Sequence, residues 1–231
     1  AYREGKVPIF EPGLTELMRS ATQRGKLRLL HSSEVAEPLG DVALVAAGTP
    51  TRDTGEADMS HVRSEVDWVC DRLPAGGVIA MKSTVPPGTG MRFLDTALSS
   101  TALKYVANPE FLREGQAVQD WFHPDRIVVG AQDPDSIMVL KSLYNGIKAP
   151  LVVTDITSAE LVKYASNAFL ATKISFINEI ATLCERLGAD VDEVSKGVSM
   201  DPRIGPSYLK AGIGYGGSCF PKDVKALAQV A

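Results

Sequence analysis

TSAELVKYASNAFLATKISFINEIATLCERLGAD, residues Thr157–Asp190, separates two different parts of the chain. Its apolar residues recur at helical spacing, and neither Pro nor Gly interrupts Ser158–Leu187, so the pattern predicts one helix about 45 Å long. Thr157 and Glu160 have the spacing of a capping box, and Gly188 is typical of a helix end. A helix of this length is typical of a bridge between domains or of a dimer interface.

Before this helix, short apolar runs alternate with helical patterns. The predicted strands are Asp41–Gly48, Gly76–Thr84, Lys104–Asn108, Arg126–Ala131 and Pro150–Asp155. The predicted helices are Glu11–Arg24, Asp58–Leu73, Thr89–Leu98 and Asp135–Leu143. Near-continuous apolar strands are typical of a parallel sheet that helices cover on both faces. The sequence therefore predicts an α/β fold up to Asp155, followed by a mostly helical domain with one long helix.

The composition narrows the function classes. The chain has 231 residues, of which 45% are hydrophobic and 23% charged, as in globular proteins. The net charge is −4 and no basic stretch occurs, so nucleic acid is not expected as a partner. No apolar run reaches the ~20 residues of a membrane-spanning helix, and we expect no membrane partner. Three cysteines without disulfide spacing predict free thiols and a cytoplasmic location.

A glycine-rich loop, GIGYGGSCFPKD at Gly212–Asp223, carries the main chemical signal. It matches G-x-G-x-x-G, but the segment before it is not a strand, so we reject a dinucleotide-binding turn here. Cys219 precedes a helix that Phe220 would begin, and a helix N-terminus favours the nucleophilic thiolate. Cys70 and Cys184 lie in helical patterns and are predicted core residues. No C-x-x-C pair or histidine spacing indicates a metal site.

This loop resembles the catalytic-cysteine loop of the UDP-glucose 6-dehydrogenases, in the UDP-glucose/GDP-mannose dehydrogenase family. Further segments resemble that family in its order: KVPIFEPGLTELM, GTPTRDTGEADMSHV, KSTVPPGTG, NPEFLREGQAVQDWFHPDRIVVG, SAELVKYASNAFLATKISFINEIATLCE and DPRIG. The resemblance implies a Rossmann-like NAD-binding domain over residues 1–155 and a central helical domain for dimerisation and substrate over 156–231. It also implies that the family's first strand–turn–helix, with its GxGxxG, and its C-terminal UDP-binding domain lie outside this sequence.

The activity that the resemblance implies is an NAD-dependent, four-electron oxidation of UDP-glucose to UDP-glucuronate, a precursor for polysaccharides. It proceeds through a thiohemiacetal and a thioester on Cys219, which explains why a thiol stands in the loop. The resemblance also implies a homodimer through the long helix Ser158–Leu187.

Local context supports several of the implied site residues. Thr49 and Thr51 follow one predicted strand, and Ser83 ends the next, at the edge where open parallel sheets bind ligands. Lys163 and Asn167 are four apart in a helix and share a face. Glu110 and Glu114 would share a face if their segment were helical.

The roles themselves come from the resemblance. The implied catalytic residues are Cys219, Lys163, Asp223, Asn167, Glu110 and Thr84. Thr84 would hold the catalytic water, and Asp223 would pair with Lys163. The implied substrate-binding residues are Phe111, Leu112, Arg113, Lys163, Asn167, Arg203, Tyr208, Lys210, Gly212 and Gly216. The implied cofactor-binding residues are Thr49, Thr51, Ser83, Thr84, Glu114 and Lys222.

Three alternatives stay open. The first is another nucleotide-sugar dehydrogenase, acting on GDP-mannose or a UDP-N-acetylhexosamine, which a substrate panel distinguishes. The second is a thiol acyl-transferase or hydrolase that uses Cys219 without redox chemistry. That enzyme would need a paired histidine, and none lies near the loop in sequence. The third is a non-catalytic fragment or assembly module built on the long helix.

Overall fold

The computed structural model describes residues 7–36 and 38–230. Its strands are β1 (Val42–Val45), β2 (Val78–Met81), β3 (Lys104–Ala107), β4 (Ile127–Ala131) and β5 (Leu151–Thr154). Its α-helices are α1 (Leu14–Gln23), α2 (Ser60–Cys70), α3 (Thr89–Asp95), α4 (Ala117–Phe122), α5 (Pro134–Leu143), α6 (Ile156–Leu187), α7 (Val191–Ser199) and α8 (Phe220–Val230). None of the helices in these two ranges is long and apolar enough to cross a membrane.

The strands form one sheet in the order β1-β2-β3-β4-β5, and each lies within a predicted apolar run. All neighbouring pairs are parallel except β3 and β4, which are antiparallel, with Val106 opposite Ala131. The prediction of a purely parallel sheet is therefore wrong at this pair, whereas the α/β Rossmann-like class is confirmed. The physical reason is that the apolar pattern of a strand buried on both faces is the same whichever way the strand runs. The connection after β3 lets β4 start at the sheet edge where β3 ends.

The chain divides into two compact units. Unit 1 comprises Ala1–Gly48 and Ser60–Glu160, and unit 2 comprises Thr49–Met59 and Leu161–Ala231. In unit 1, all four residues of β2 are buried in the middle of the sheet. Alternate residues of the central strands pack against Leu140 of α5, which buries one face of the sheet. The predicted boundary after residue 155 stays a prediction.

The predicted long helix is present as α6, which begins two residues earlier than expected and ends before Gly188, whose φ is 72°. The predicted capping box is wrong. Asp155 fills the capping role, because its carboxylate accepts hydrogen bonds from the Ser158 backbone N (2.8 Å) and hydroxyl (2.6 Å). The Glu160 carboxylate accepts instead from backbone N–H groups of Gly88 and Gly90.

In unit 2, polar contacts hold the loops against the helices. The segment Thr49–Met59 closes on itself through a bridge between Thr51 and Ala57 and an Arg52–Asp58 ion pair of 3.0 Å. The backbone N of Gly212 donates to Asn178 of α6 at 2.9 Å, and this contact fixes the start of the glycine loop.

Candidate active site

Cys219 stands immediately before α8, as the sequence predicts, and is half-buried. Its carbonyl accepts the Asp223 backbone N–H at 2.9 Å, so it closes the first helical turn. The Phe220 ring packs against the rings of Tyr208 and Tyr215, with centroids 6.0 and 6.3 Å apart, and this contact anchors the loop to the helix. The thiol is therefore presented at a helix N-terminus, at the positive end of the α8 backbone dipole.

The Asp223 carboxylate is the most enclosed charged group of this region, with 1% of the residue exposed. One of its oxygens accepts from the Asn167 side-chain amide at 2.6 Å, and the other accepts from the Lys222 ammonium at 2.5 Å. Both oxygens are thus paired, which a buried carboxylate requires. Lys163, one turn before Asn167 in α6, is also buried. Its implied pairing with Asp223 stays a prediction.

Lys222 joins this cluster to the segment that follows β1. Its ammonium lies 3.3 Å from the Thr49 hydroxyl, and Thr49 is itself buried. Gln229 of the same helix lies against Gly55 in that segment. Two predicted cofactor residues, Thr49 and Lys222, are therefore neighbours within unit 2, although 173 positions separate them in sequence. Thr51 is exposed.

In unit 1, Ser83 is tied to the backbone of β1. Its hydroxyl donates to the Ala47 carbonyl at 2.7 Å, and its backbone N donates to the Val45 carbonyl at 3.0 Å. Thr84 follows it and is half-buried. Both residues follow β2 at its carboxyl end, beside the carboxyl end of the parallel strand β1, which is the predicted edge for ligands.

The segment after β3 is not helical, so the condition under which Glu110 and Glu114 would share a helix face is not met. The Glu110 carboxylate bends back to accept the Leu112 backbone N–H at 2.5 Å, which stabilises a local turn instead. Glu114 is exposed. Phe111 packs under the Arg126 guanidinium, whose carbon lies 3.8 Å from the ring centroid.

Sequence reasoning missed a cluster that supports this segment. The Lys82 ammonium donates to the Asn108 side chain at 3.2 Å and to the Tyr144 hydroxyl at 2.9 Å. Asn108 is fully buried and in turn donates to the Val128 carbonyl at 2.8 Å. A lysine directly after an apolar run was the available signal, because an ammonium that is partly removed from water requires acceptors nearby.

The remaining substrate-binding candidates lie mainly on exposed loops. Arg203 forms a two-pronged pair with Asp201 at 2.6 and 3.0 Å, which lowers the pKa of Asp201 below its usual range. Arg113 pairs in the same way with Asp120, at 2.6 and 3.0 Å. Tyr208 has a φ of 63°, a strained value for a residue with a side chain. Lys210 and Gly216 are exposed.

The structure thus brings together five predicted residues within unit 2, namely Cys219, Asp223, Lys222, Asn167 and Thr49. Thr84, Glu110, Glu114 and the Phe111–Arg113 backbone lie in unit 1. The roles of all these residues stay predictions. Within 7–36 and 38–230, no group of three His, Cys, Asp or Glu side chains could hold a metal ion. Unit 2 therefore offers a thiol, which can act as a nucleophile, one helical turn before a carboxylate that is paired with an amide and an ammonium.

Residues 1–148 match the UDP-glucose/GDP-mannose dehydrogenase family, NAD binding domain. Residues 157–231 match the central domain of the same family. The chain therefore belongs to the UDP-glucose/GDP-mannose dehydrogenase family. The family inferred from the motifs is confirmed, and so is NAD as the cofactor of its first domain.

Individual relatives narrow the comparison. The chain is 46% identical over 233 residues to UDP-glucose 6-dehydrogenase YwqF of Bacillus subtilis (strain 168), across 99% of this chain and 53% of that protein. It is 45% identical over 240 residues to UDP-glucose 6-dehydrogenase of Rhizobium meliloti (strain 1021), across 100% of this chain and 55% of that protein. A solved UDP-glucose dehydrogenase from Pyrobaculum islandicum has a TM-score of 0.93 and 42% identity, across 99% of this chain and 54% of that one. The chain spans about half the length of the curated relatives it matches.

Proposed function

We propose that the protein containing this chain is an NAD-dependent UDP-glucose 6-dehydrogenase with Cys219 as its covalent nucleophile. The observation that carries the proposal is the position of Cys219 at the start of α8, one turn from the paired Asp223 carboxylate. The relatives named above act, by their names, on UDP-glucose, and the chain is 42–46% identical to them.

The proposed reaction consumes one water and converts the primary alcohol at C6 of the sugar into a carboxylate. Two hydrides leave C6, and three protons are released. Loss of the first hydride from C6, together with the proton of the C6 hydroxyl, gives an aldehyde, which has no readily donated second hydride. The Cys219 thiolate attacks the aldehyde carbon, a C–S bond forms, and the carbonyl oxygen takes a proton to give a thiohemiacetal. Loss of the second hydride and of that proton leaves a thioester. Water then forms a C–O bond, the C–S bond breaks, and the thiolate is regenerated.

The residues around Cys219 have distinct proposed tasks. Lys163 stabilises the oxyanion that develops when the thiolate and then water attack. Asn167 contacts the hexose with one part of its amide and holds Asp223 with the other. Asp223 orients the hydrolytic water. From the resemblance we assign Thr84 and Glu110 to the same hydrolytic step.

The residues predicted to hold NAD fit that group by their chemistry. Hydroxyl groups follow adjacent parallel strands at Thr49 and Ser83, and Gly48 offers backbone that no side chain obstructs. Thr51, Thr84, Glu114 and Lys222 complete the proposed set. When bound, NAD⁺ supplies the two-electron acceptor for each hydride.

The long helix supplies the proposed dimer contact. Phe169, Phe176 and Leu183 recur every seven residues and are 65%, 51% and 49% exposed, so they form one apolar stripe on α6. We propose that two copies of the protein pack these stripes together. The proposed dimer would act in the cytoplasm.

Steady-state kinetics of the full-length protein test the proposal. UDP-glucose should give two NADH per sugar acid, with a kcat/KM at least tenfold above that of GDP-mannose, a difference of about 1.4 kcal/mol. Equal or reversed values would indicate another nucleotide-sugar dehydrogenase of this family. One NADH per sugar would contradict the thioester route.

A further inference from the structure

Glu160 lies in the first turns of α6, and only 3% of the residue is exposed. One carboxylate oxygen accepts the Gly88 backbone N–H at 2.7 Å. The other accepts the Gly90 backbone N–H at 2.8 Å and the Tyr105 hydroxyl at 3.3 Å. This carboxylate has three donors from a distant turn and strand and is enclosed among them. Because of these contacts, the carboxylate is not a solvated side chain but a hydrogen-bond acceptor for the backbone at the start of α3.

The start of α3 lacks a cap of its own. Gly88, the residue before the helix, is in the left-handed region with φ 87°, and no side chain caps the helix locally. The first N–H groups of a helix need acceptors from elsewhere. Glu160 supplies them from 70 residues away in sequence. The carboxylate charge also complements the positive end of the α3 backbone dipole.

Tight packing fixes the direction in which Glu160 points. A Cβ at Gly130 would lie 2.5 Å from the Ala159 Cβ and 2.7 Å from the Asp155 carbonyl. A Cβ at Gly90 would lie 2.5 Å from the Ile156 side chain. The first turn of α6 therefore touches the backbone of both β4 and α3, and no larger residue fits between them. With this turn held, the Glu160 carboxylate has little room to leave Gly88 and Gly90.

The turn that Glu160 holds carries Thr84. At its start, Ser83 is bonded to the backbone of β1. At its end, Gly88 is bonded to Glu160. Val85, between the two ends, is buried. We propose that Glu160 is a positioning residue, which fixes the Thr84–Gly88 turn and so sets the place of the Thr84 hydroxyl. The effect on reaction rate rests on the proposed function, whereas the effect on the turn does not.

Other charged and titratable groups lie on the neighbouring elements. They include Lys104 and Tyr105 on β3, Arg92 and Asp95 on α3, and Lys163 and Tyr164 on α6. Burial raises the pKa of Tyr105 well above its usual range, so its hydroxyl keeps its proton and donates to Glu160. Arg92 donates to Thr89 at 3.3 Å.

The test compares Glu160→Gln with Glu185→Gln in the full-length protein. Glu185 lies on the same helix but is exposed, so it is a matched control. In Glu160→Gln, an amide NH₂ group replaces one carboxylate oxygen. This group cannot accept the hydrogen bond from the N–H of Gly88 or Gly90. Amide hydrogen exchange at these glycines should then become at least tenfold faster, while the control leaves it unchanged. Unchanged exchange in Glu160→Gln would overturn the proposal.

Kinetics separate positioning from general stability. We expect Glu160→Gln to lower kcat with UDP-glucose by about 10- to 100-fold, with KM changed less than about twofold. In a Thr84→Ala background the same change should have no further effect on kcat, because Glu160 acts through Thr84. The positioning role would be contradicted if the double variant lowered kcat by the product of the two single effects. It would also be contradicted if Glu160→Gln raised KM alone. If the wild-type protein oxidises no nucleotide sugar, the proposed function fails, and hydrogen exchange alone decides whether Glu160 fixes the turn.

Discussion

Replacing Glu160 with Gln removes a titrating carboxyl group from the interior of unit 1 and keeps the length of the side chain. Burial raises the pKa of Glu160 from 4.5 to about 6, against the opposing effect of the Gly90 and Gly88 backbone N–H groups. A carboxyl group whose pKa is raised by folding holds its proton more tightly in the folded state. Its contribution to stability is therefore fully present below about pH 4.5 and is lost as the pH rises through about 6.

The size of this contribution follows from the two pKa values. The pKa of Glu160 rises by about 1.5, and a change of one in a pKa corresponds to about 1.36 kcal/mol. The rise therefore corresponds to about 2 kcal/mol of unfolding free energy. Other carboxylates change stability in the opposite direction. Serine and arginine partners lower the pKa of Asp155 and Asp120, for example. These groups are common to the parent protein and the variant, so they cancel when the two curves are subtracted.

Urea unfolding between about pH 4 and about pH 8 measures the difference. We expect the parent protein to lose about 2 kcal/mol relative to Glu160→Gln as the pH rises from about 4.5 to about 7. The exposed control Glu185→Gln should follow the parent at every pH. A difference curve that is flat within ~0.5 kcal/mol would refute the reasoning. A curve of opposite sign would mean that the three hydrogen bonds outweigh the cost of burial.

Three further perturbations test the site, the dimer and the packing. Cys219→Ala should reduce NADH formation by roughly three orders of magnitude with UDP-glucose affinity kept, whereas the buried Cys184→Ala should leave kcat nearly unchanged. Retention of more than about a tenth of wild-type turnover by Cys219→Ala would exclude the thioester route. Phe176→Asp should convert the proposed dimer to a monomer in analytical ultracentrifugation, and Met138→Asp, at an exposed position on α5, should not. Gly130→Ala should destabilise the fold by about 1–3 kcal/mol in urea unfolding, because its Cβ would meet Asp155 and Ala159. In contrast, Gly197→Ala in α7 meets nothing within 4 Å and should be neutral or stabilising by up to about 1 kcal/mol.

Elements that depend on local pattern could be predicted from the sequence. Each strand is an apolar run between turn residues, and α6 has an unbroken helical pattern, so both signals are contained in neighbouring residues. The direction of β4 could not be predicted, because burial on both faces is the same in either direction. The capping box failed for a related reason. A Glu in the first turn of a helix can serve its own N-terminus or another helix, and only the fold decides which.

In the candidate site too, features that depend on local spacing could be predicted, and contacts between distant residues could not. The shared face of Lys163 and Asn167 follows from their spacing, but the Asn167 bond to Asp223 joins positions 56 apart. The contact between Lys222 and Thr49 joins positions 173 apart. Sequence reasoning placed Thr49 and Lys222 together only as cofactor residues, through the resemblance. That they touch depends on the segment Thr49–Met59 belonging to unit 2.

The paired state of Asp223 bears directly on Cys219. An unpaired carboxylate in the first turn of α8 would repel negative charge at the start of the same helix, where Cys219 stands. The Lys222 ammonium at 2.5 Å and the Asn167 amide at 2.6 Å each donate a hydrogen bond to one oxygen of Asp223 and so compensate its negative charge. Cys219 itself stands at the positive end of the α8 backbone dipole, which attracts negative charge. The cluster therefore allows the carboxylate that we propose to orient water and the thiol that we propose as nucleophile to stand one helical turn apart.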